Sequence, residues 1–325
     1  MSSNTSSLDY SIKLNDGNVI PSLALGTATP PEEHEAVPEA VKAAIRAGIR
    51  HIDTAWYYGT EKYIGKALKE LIDAGEIKRE ELFITTKVWP ALWDRAETSI
   101  KKSLEDTGLE YFDLVLQHWP QTFKGTDKNG LPSRPYDENG ILHFGAGDYL
   151  ETYKQIIDLR KRTNWIKSVG VSNFHIHHLK RAIEETGVVP AVDQIEHHYR
   201  LADQIGLIEY AKSQNIAIEA YAVFGSSIAG LIDEPIVKKF ADKYGTTVNS
   251  VLISYHVLNN RIALARSKTP ERIEDFTVLT PLTKDDIEEL DKAGIENPKR
   301  YITDDWGVGL GFKHWKTKYS WEESK

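Results

Sequence analysis

The chain has 325 residues and a formal net charge of −8, a length that suits one α/β barrel with loop insertions and a charge that argues against nucleic acid or an acidic membrane surface as partner. It contains no cysteine, which excludes disulfides, thiolate metal sites and cysteine nucleophiles. No stretch approaches the roughly 18 apolar residues of a membrane helix, and the polar start Met1-Ser-Ser-Asn-Thr-Ser-Ser7 lacks the parts of a secretion signal. A cytoplasmic chain with a disordered tail over residues 1–8 is the expectation, and the sequence leaves the oligomeric state open.

Residues 10–20 carry Asn15-Asp16-Gly17 between alternating apolar residues, a strong hairpin signal. Short apolar runs follow at 22–25, 52–54, 82–87, 112–118, 168–171, 192–195, 216–221 and 262–264. The segments between them place apolar residues at helical spacing, as at Val41, Ala44, Ile45 and Ile49. Strand-like runs alternating with helices predict an α/β chain, a single (β/α)8 TIM barrel over residues 1–325 with an N-terminal β-hairpin. An open doubly wound sheet competes, but Gly26-Thr-Ala-Thr-Pro-Pro31 after the first run is not the Gly-rich phosphate turn such a sheet usually carries. Residues 120–147, 222–233 and the tail 298–325 are too long for simple connectors. Such loops are expected around the C-terminal face of the barrel, where sites are built.

Strand ends carry the chemistry. The second run ends at Asp53 with Tyr58 five residues on, the third ends at Lys87 and the fourth at His118. In a parallel barrel these ends converge on one mouth. A tyrosine, with an ordinary pKa of about 10, is a poor acid near neutrality until a cation lowers it. Lys87 supplies a cation, Asp53 can hold it, and His118 can donate a hydrogen bond to a carbonyl oxygen. The set suits proton delivery to a developing alkoxide, with hydride coming from a cofactor. Taken singly, each residue also has a structural explanation: an internal ion pair, a packed ring, a hydrogen-bonded core histidine. Four complementary types at three successive strand ends favour the chemical one.

The chain resembles the aldo-keto reductases. The resemblance rests on His51-Ile-Asp-Thr-Ala-Trp-Tyr-Tyr-Gly59, Thr85-Thr-Lys-Val-Trp89, Asp113-Leu-Val-Leu-Gln-His-Trp-Pro120 and Val169-Gly-Val-Ser-Asn-Phe174, then Gln194-Ile-Glu196, Tyr221 and Arg266-Ser-Lys-Thr-Pro-Glu-Arg272, in family order. Within the family the chain is most similar to the fungal D-arabinose dehydrogenase type, which also reduces dicarbonyls and ketoesters. The resemblance implies NADPH-dependent reduction of aldehydes and ketones, with Tyr58 as proton donor, Lys87 and Asp53 as the pair that tunes it, and His118 orienting the carbonyl. It implies cofactor contacts from Gly26, Thr27, Gly225 and Ser226. Ser172, Asn173 and Gln194 would meet the nicotinamide carboxamide, Tyr221 would stack on its ring, and Arg266, Ser267 and Arg272 would surround the 2′-phosphate. A fixed arginine fork suits a phosphate. At about 1.5–3 kcal/mol per charge-assisted bond, two arginines favour NADPH over NADH by roughly 100-fold or more.

The sequence also departs from the family pattern. Ala222-Val-Phe-Gly225 stands where Ser-Pro-Leu-Gly is common, Ala265 where proline is usual, and Phe276 where an amide often faces adenine, a place at which it could stack instead. Trp56, Trp89, Trp119 and Phe224, with one aromatic of the tail, are expected to wall an apolar substrate pocket suited to α-dicarbonyls, ketoesters or hydrophobic ketones. His175, His177 and His178, with His197 and His198, lack a matching metal-ligand pattern, so no metal is expected. Three competing functions are a cofactor-sensing binding protein without significant turnover, a metal-dependent barrel hydrolase, and a Schiff-base lysine enzyme. The last is disfavoured because Asp53 would keep Lys87 charged.

Overall fold

In the computed structural model, residues 5–126, 132–136, 142, 144–145, 147–225, 230–303 and 309–315 are described. Asn15-Asp16-Gly17 forms the expected turn, with Gly17 at φ +92°, between strands β1 (Ser11–Lys13) and β2 (Val19–Pro21). The hairpin buries Ile12, Leu14 and Ile20 against Phe83, Leu114 and Val192. These three partners lie at or near the starts of barrel strands, so the hairpin plugs the N-terminal end of the barrel.

Each apolar run becomes a strand: β3 (Leu23–Gly26), β4 (His51–Asp53), β5 (Phe83–Val88), β6 (Phe112–Gln117), β7 (Ile166–Ser172), β8 (Val192–Glu196), β9 (Ala217–Tyr221) and β10 (Ile262–Ala265). They pair in parallel and close on themselves, β10 beside β3, which is the (β/α)8 architecture with its N-terminal hairpin. Strands β5 and β6 are buried at every position, because one face looks into the barrel and the other lies under helices.

The helices are α1 (Val37–Arg46), α2 (Glu61–Asp73), α3 (Ala96–Thr107), α4 (Leu150–Arg162), α5 (Ile176–Thr186), α6 (Ile205–Ser213), α7 (Pro235–Tyr244), α8 (Val248–Val257), α9 (Pro270–Asp275) and α10 (Lys284–Glu296). Helix α1 buries Val41, Ala44 and Ile45, the stripe its spacing predicts, and Ile49 just beyond it is buried too. Gly294 in α10 lies so close to the backbone of Tyr199 that a Cβ would sit 1.7 Å from its carbonyl oxygen, so only glycine lets this helix dock under the end of β8. Among the described residues no helix is long and apolar enough to cross a membrane.

One expectation about the ends is corrected. Residues 5–8 of the expected tail are tied down: Ser7 donates to the Thr277 carbonyl at 2.9 Å, Leu279 donates to the Thr5 carbonyl at 3.0 Å, and Ser7 is buried. Serine hydroxyls that satisfy backbone groups beyond α9 look, in sequence, like any polar tail.

Candidate active site

Strand register decides what faces inward. Gly26 pairs with Asp53, Asp53 with Thr85, and Lys87 with Leu116. With a side-chain period of two, His51 and Asp53, Thr85 and Lys87, Gly170 and Ser172, Gln194, and Glu219 and Tyr221 all share the inward parity. They stack above the apolar layer that the hairpin plugs.

Lys87 is 1 % exposed, and its Nζ donates to both Asp53 oxygens at 2.8 and 2.7 Å, to the Thr54 carbonyl at 2.9 Å and to the Tyr58 hydroxyl at 3.3 Å. Burial pulls the ammonium pKa down, but Asp53, Tyr58 and Glu219 outweigh it and leave it raised, so Lys87 stays charged. For Tyr58 the balance differs from the simple expectation. The surrounding protein pushes the phenol pKa up more than Lys87 pulls it down, and the phenol keeps its proton. His118 stands 5.5 Å from Tyr58, ring centroid to ring centroid, in an edge-to-face arrangement. Burial, then Lys87 and Arg134, hold its imidazole well below the usual histidine range, so it is neutral.

Beside this group Ser172 donates to the Gln194 carbonyl at 2.8 Å. Asn173, at φ +63°, donates to the His118 carbonyl and to Ser172, each at 3.0 Å, and its Oδ1 accepts from the Tyr221 hydroxyl at 2.7 Å. Gln194 Nε2 donates to Asp53 at 2.9 Å and to Glu219 at 2.8 Å, which leaves Oε1 as its remaining acceptor. A cleft of about 990 Å³ runs from Tyr58 and His118 past Gly26, Thr27 and Tyr221 to Arg266, Ser267 and Arg272. Its donor set fits a dinucleotide carrying an extra phosphate: amide partners with both donors and acceptors at one end, and exposed guanidinium groups at the other.

Most expected residues come together here, and one differs. Trp89, Trp119 and Phe224 line the cleft, but Trp56 does not; it packs against the core, while Tyr57 takes the expected wall position. The reason is the tight 3₁₀ turn Trp56–Tyr58, which sends successive side chains in different directions. Phe276 lines the cleft as well, 1 % exposed and 5.3 Å from Phe224, ring to ring. Ser226 lies outside the described residues. Gly225, at φ +77°, is pressed against Tyr301, where a Cβ would fall 2.8 Å from the ring.

Sequence reasoning missed three groups. Glu219 is fully buried beneath Asp53, and burial together with the Asp53 charge raises its pKa to about 8. Its Oε1 is 3.5 Å from His51 Nε2. Burial lowers the His51 imidazole to about 3, so this is a contact between neutral groups and not an ion pair. Glu196 anchors the tail across the mouth: it accepts from the backbone N–H of Tyr301 at 2.6 Å and of Ile302 at 3.1 Å, and pairs with buried Arg300. Tyr301 and Ile302 thereby line the cleft. Arg134, from the long loop after β6, lines it as well. At the start of α5 the His175 backbone N–H donates to His178 Nδ1 at 3.2 Å; among the described residues no three His, Cys, Asp or Glu side chains gather as a metal would need.

Comparison with known proteins gives the same family. The sequence model of the aldo/keto reductase family matches residues 22–295. A D-galacturonate reductase from Hypocrea jecorina is 35 % identical over 93 % of this chain and 97 % of its own length. A glycerol 2-dehydrogenase (NADP(+)) from Saccharomyces cerevisiae is 35 % identical over 93 % and 96 %. The aldose reductase from Schistosoma japonicum superposes with a TM-score of 0.81 at 32 % identity, covering 90 % of this chain and 94 % of that one. This chain belongs to the aldo/keto reductase family and is an oxidoreductase acting on carbonyl groups.

Proposed function

We propose that the chain uses NADPH to reduce aldehydes and ketones to alcohols, with α-dicarbonyls, ketoesters and related carbonyls as substrates and Tyr58 as the proton donor. The observation that carries this reading is the buried Lys87 ammonium, gripped by both Asp53 oxygens and 3.3 Å from the Tyr58 hydroxyl. The family generally uses nicotinamide cofactors, and such a cofactor supplies the hydride when bound. The residues of the chain handle one proton. A carbonyl oxygen seated beside Tyr58 and His118 accepts hydrogen bonds from the phenol and the neutral imidazole. As negative charge grows on that oxygen, the phenol hands over its proton. The phenolate left behind faces Lys87, and Asp53 fixes that ammonium in place, so the new charge is not buried alone.

Ser172, Asn173 and Gln194 offer the mixed donors and acceptors that a carboxamide requires, and Tyr221 offers a ring beside them. The cations at Arg266 and Arg272 support the phosphorylated form of the cofactor, as does the relative named for NADP(+). The D-galacturonate reductase brings sugar acids into the range of substrates to test. A cytoplasmic location belongs to the same reading. The test is Tyr58→Phe, with cofactor absorbance followed after a carbonyl is added and cofactor binding measured separately. Turnover is expected to vanish while binding persists; near-normal rates in the variant would refute the assignment.

A further inference from the structure

We propose that the substrate end of the cleft is built for aldehydes or ketones that carry a carboxylate, with Arg134 as the group that holds it. This rests on the carbonyl-reduction reading of the site and specifies which carbonyl compounds it favours.

The segment that carries Arg134 is fixed at several points. The Trp89 indole donates to the Ser133 carbonyl at 2.7 Å, and Pro132 and Pro135 bracket the pair, with Pro135 buried. Prolines on both sides reduce the backbone freedom that binding would otherwise have to remove. The guanidinium carbon lies 5.6 Å from the Tyr57 ring and 5.7 Å from the Trp89 ring, and these two rings stack on each other at 3.6 Å. Trp89 is in turn 5.0 Å from His118, ring to ring. One indole therefore touches both the arginine and the histidine beside which the carbonyl oxygen would sit. The charge reaches that histidine, being one of the causes that keep it neutral.

Placement distinguishes Arg134 from the other cations of the cleft. Arg266 follows β10 and lies 3.4 Å from Thr29, and Arg272 is in α9 after it, whereas Arg134 is held over Tyr57 and Trp89. Trp89 and Trp119 are buried, and beside such rings a charge attracts an anion more strongly than on an open surface. A chain of net charge −8 repels an anionic substrate unless a local cation compensates. A guanidinium presents five N–H donors in a rigid fork that matches a carboxylate, so an anion can bind alongside the arginine's own protein contacts.

The experiment uses the full chain with NADPH and three acid and methyl-ester pairs: glyoxylate, succinic semialdehyde and 4-formylbenzoate, each against its ester. In at least one pair the acid is expected to have a kcat/KM about ten-fold or more above the ester, as one charge-assisted contact allows. Arg134→Gln should lower that acid-to-ester ratio at least ten-fold, mainly through KM, and Arg134→Lys should restore part of it. Esters equal to or better than acids in all pairs would overturn the proposal, as would a ratio unmoved by Arg134→Gln. Calorimetric binding of 4-(hydroxymethyl)benzoate, weaker in Arg134→Gln, is a readout that needs no turnover. Absence of turnover with all six compounds and with the α-dicarbonyl 2,3-butanedione would count against the carbonyl-reduction reading, while that binding still tests the arginine; turnover of the dicarbonyl alone would overturn only the carboxylate proposal.

Discussion

Replacing Glu219 by glutamine should make the protein more stable above pH 8 and leave it nearly unchanged at pH 5. Glu219 is fully buried, accepts from Gln194 at 2.8 Å, and turns its second oxygen toward His51. Burial, reinforced by the nearby Asp53 charge, raises its pKa from the ordinary 4.5 to about 8. Between those values the folded chain holds a proton that the unfolded chain has released. Stability therefore falls as pH rises through that window, by about 1.4 kcal/mol per pH unit for one proton, and the loss is complete above pH 8. The total is on the order of a few kcal/mol. In Glu219→Gln the side-chain oxygen can still accept from Gln194 and the N–H can face the lone pair of neutral His51, so the variant reproduces the protonated state without the titration. Urea unfolding from pH 5 to pH 9 would give two curves that meet at the acid end and separate toward pH 9. Parallel curves would refute the claim that this carboxyl is held protonated.

Asp53→Asn should cost about 3–5 kcal/mol, because it leaves a buried ammonium without its charge partner; thermal melting would record it, and adding Lys87→Met should recover part of the loss. Glu196→Ala should free the segment after α10 by removing the acceptor of Tyr301 and Ile302 and the partner of Arg300; limited proteolysis around residues 300–303 should become faster and substrate KM should rise. Arg272→Ala should weaken NADPH binding by roughly ten-fold or more and leave NADH binding nearly constant, as measured by fluorescence titration with each cofactor.

The barrel is legible in the sequence because each parallel strand is a short run of apolar residues and the helices between them repeat every three to four positions. The same double burial hides the polar interior. In a strand buried on both faces, hydrophobicity no longer alternates, so the apolar pattern of Ala217–Tyr221 does not announce that Glu219 points inward. One signal is present: Glu219 is two residues before Tyr221, a residue the family motif marks, and period two gives both the same face. Trp56 shows the limit of reading by adjacency. It precedes Tyr58 by two, but a 3₁₀ turn, not a strand, carries both. Arg134 and Glu196 need tertiary information of another kind, since one depends on how a long loop folds back onto Trp89 and the other on where the tail crosses the barrel mouth. The hairpin, by contrast, is fixed by local turn chemistry and forms where its Asn-Asp-Gly stands.

Two proton-bearing side chains, Tyr58 and His118, border the same part of the cleft, and burial separates the roles proposed for them. A neutral histidine can donate its N–H as a hydrogen bond, but giving the proton up would leave an anionic ring. An imidazolium would be the better acid, yet burial and the neighbouring Lys87 and Arg134 charges disfavour it. The phenol is pushed the other way, toward keeping its proton until a stronger base appears. In the proposed reaction an alkoxide developing on the substrate would be such a base, and the resulting phenolate would face an ammonium 3.3 Å away that is already held by Asp53. In the proposed reaction the ammonium would therefore act less by making the free phenol acidic than by receiving the charge that remains once the proton has gone. Arg134 and Lys87 both disfavour imidazolium, so in the proposed reaction each would help leave the proton transfer to Tyr58 and the orientation of the carbonyl to His118.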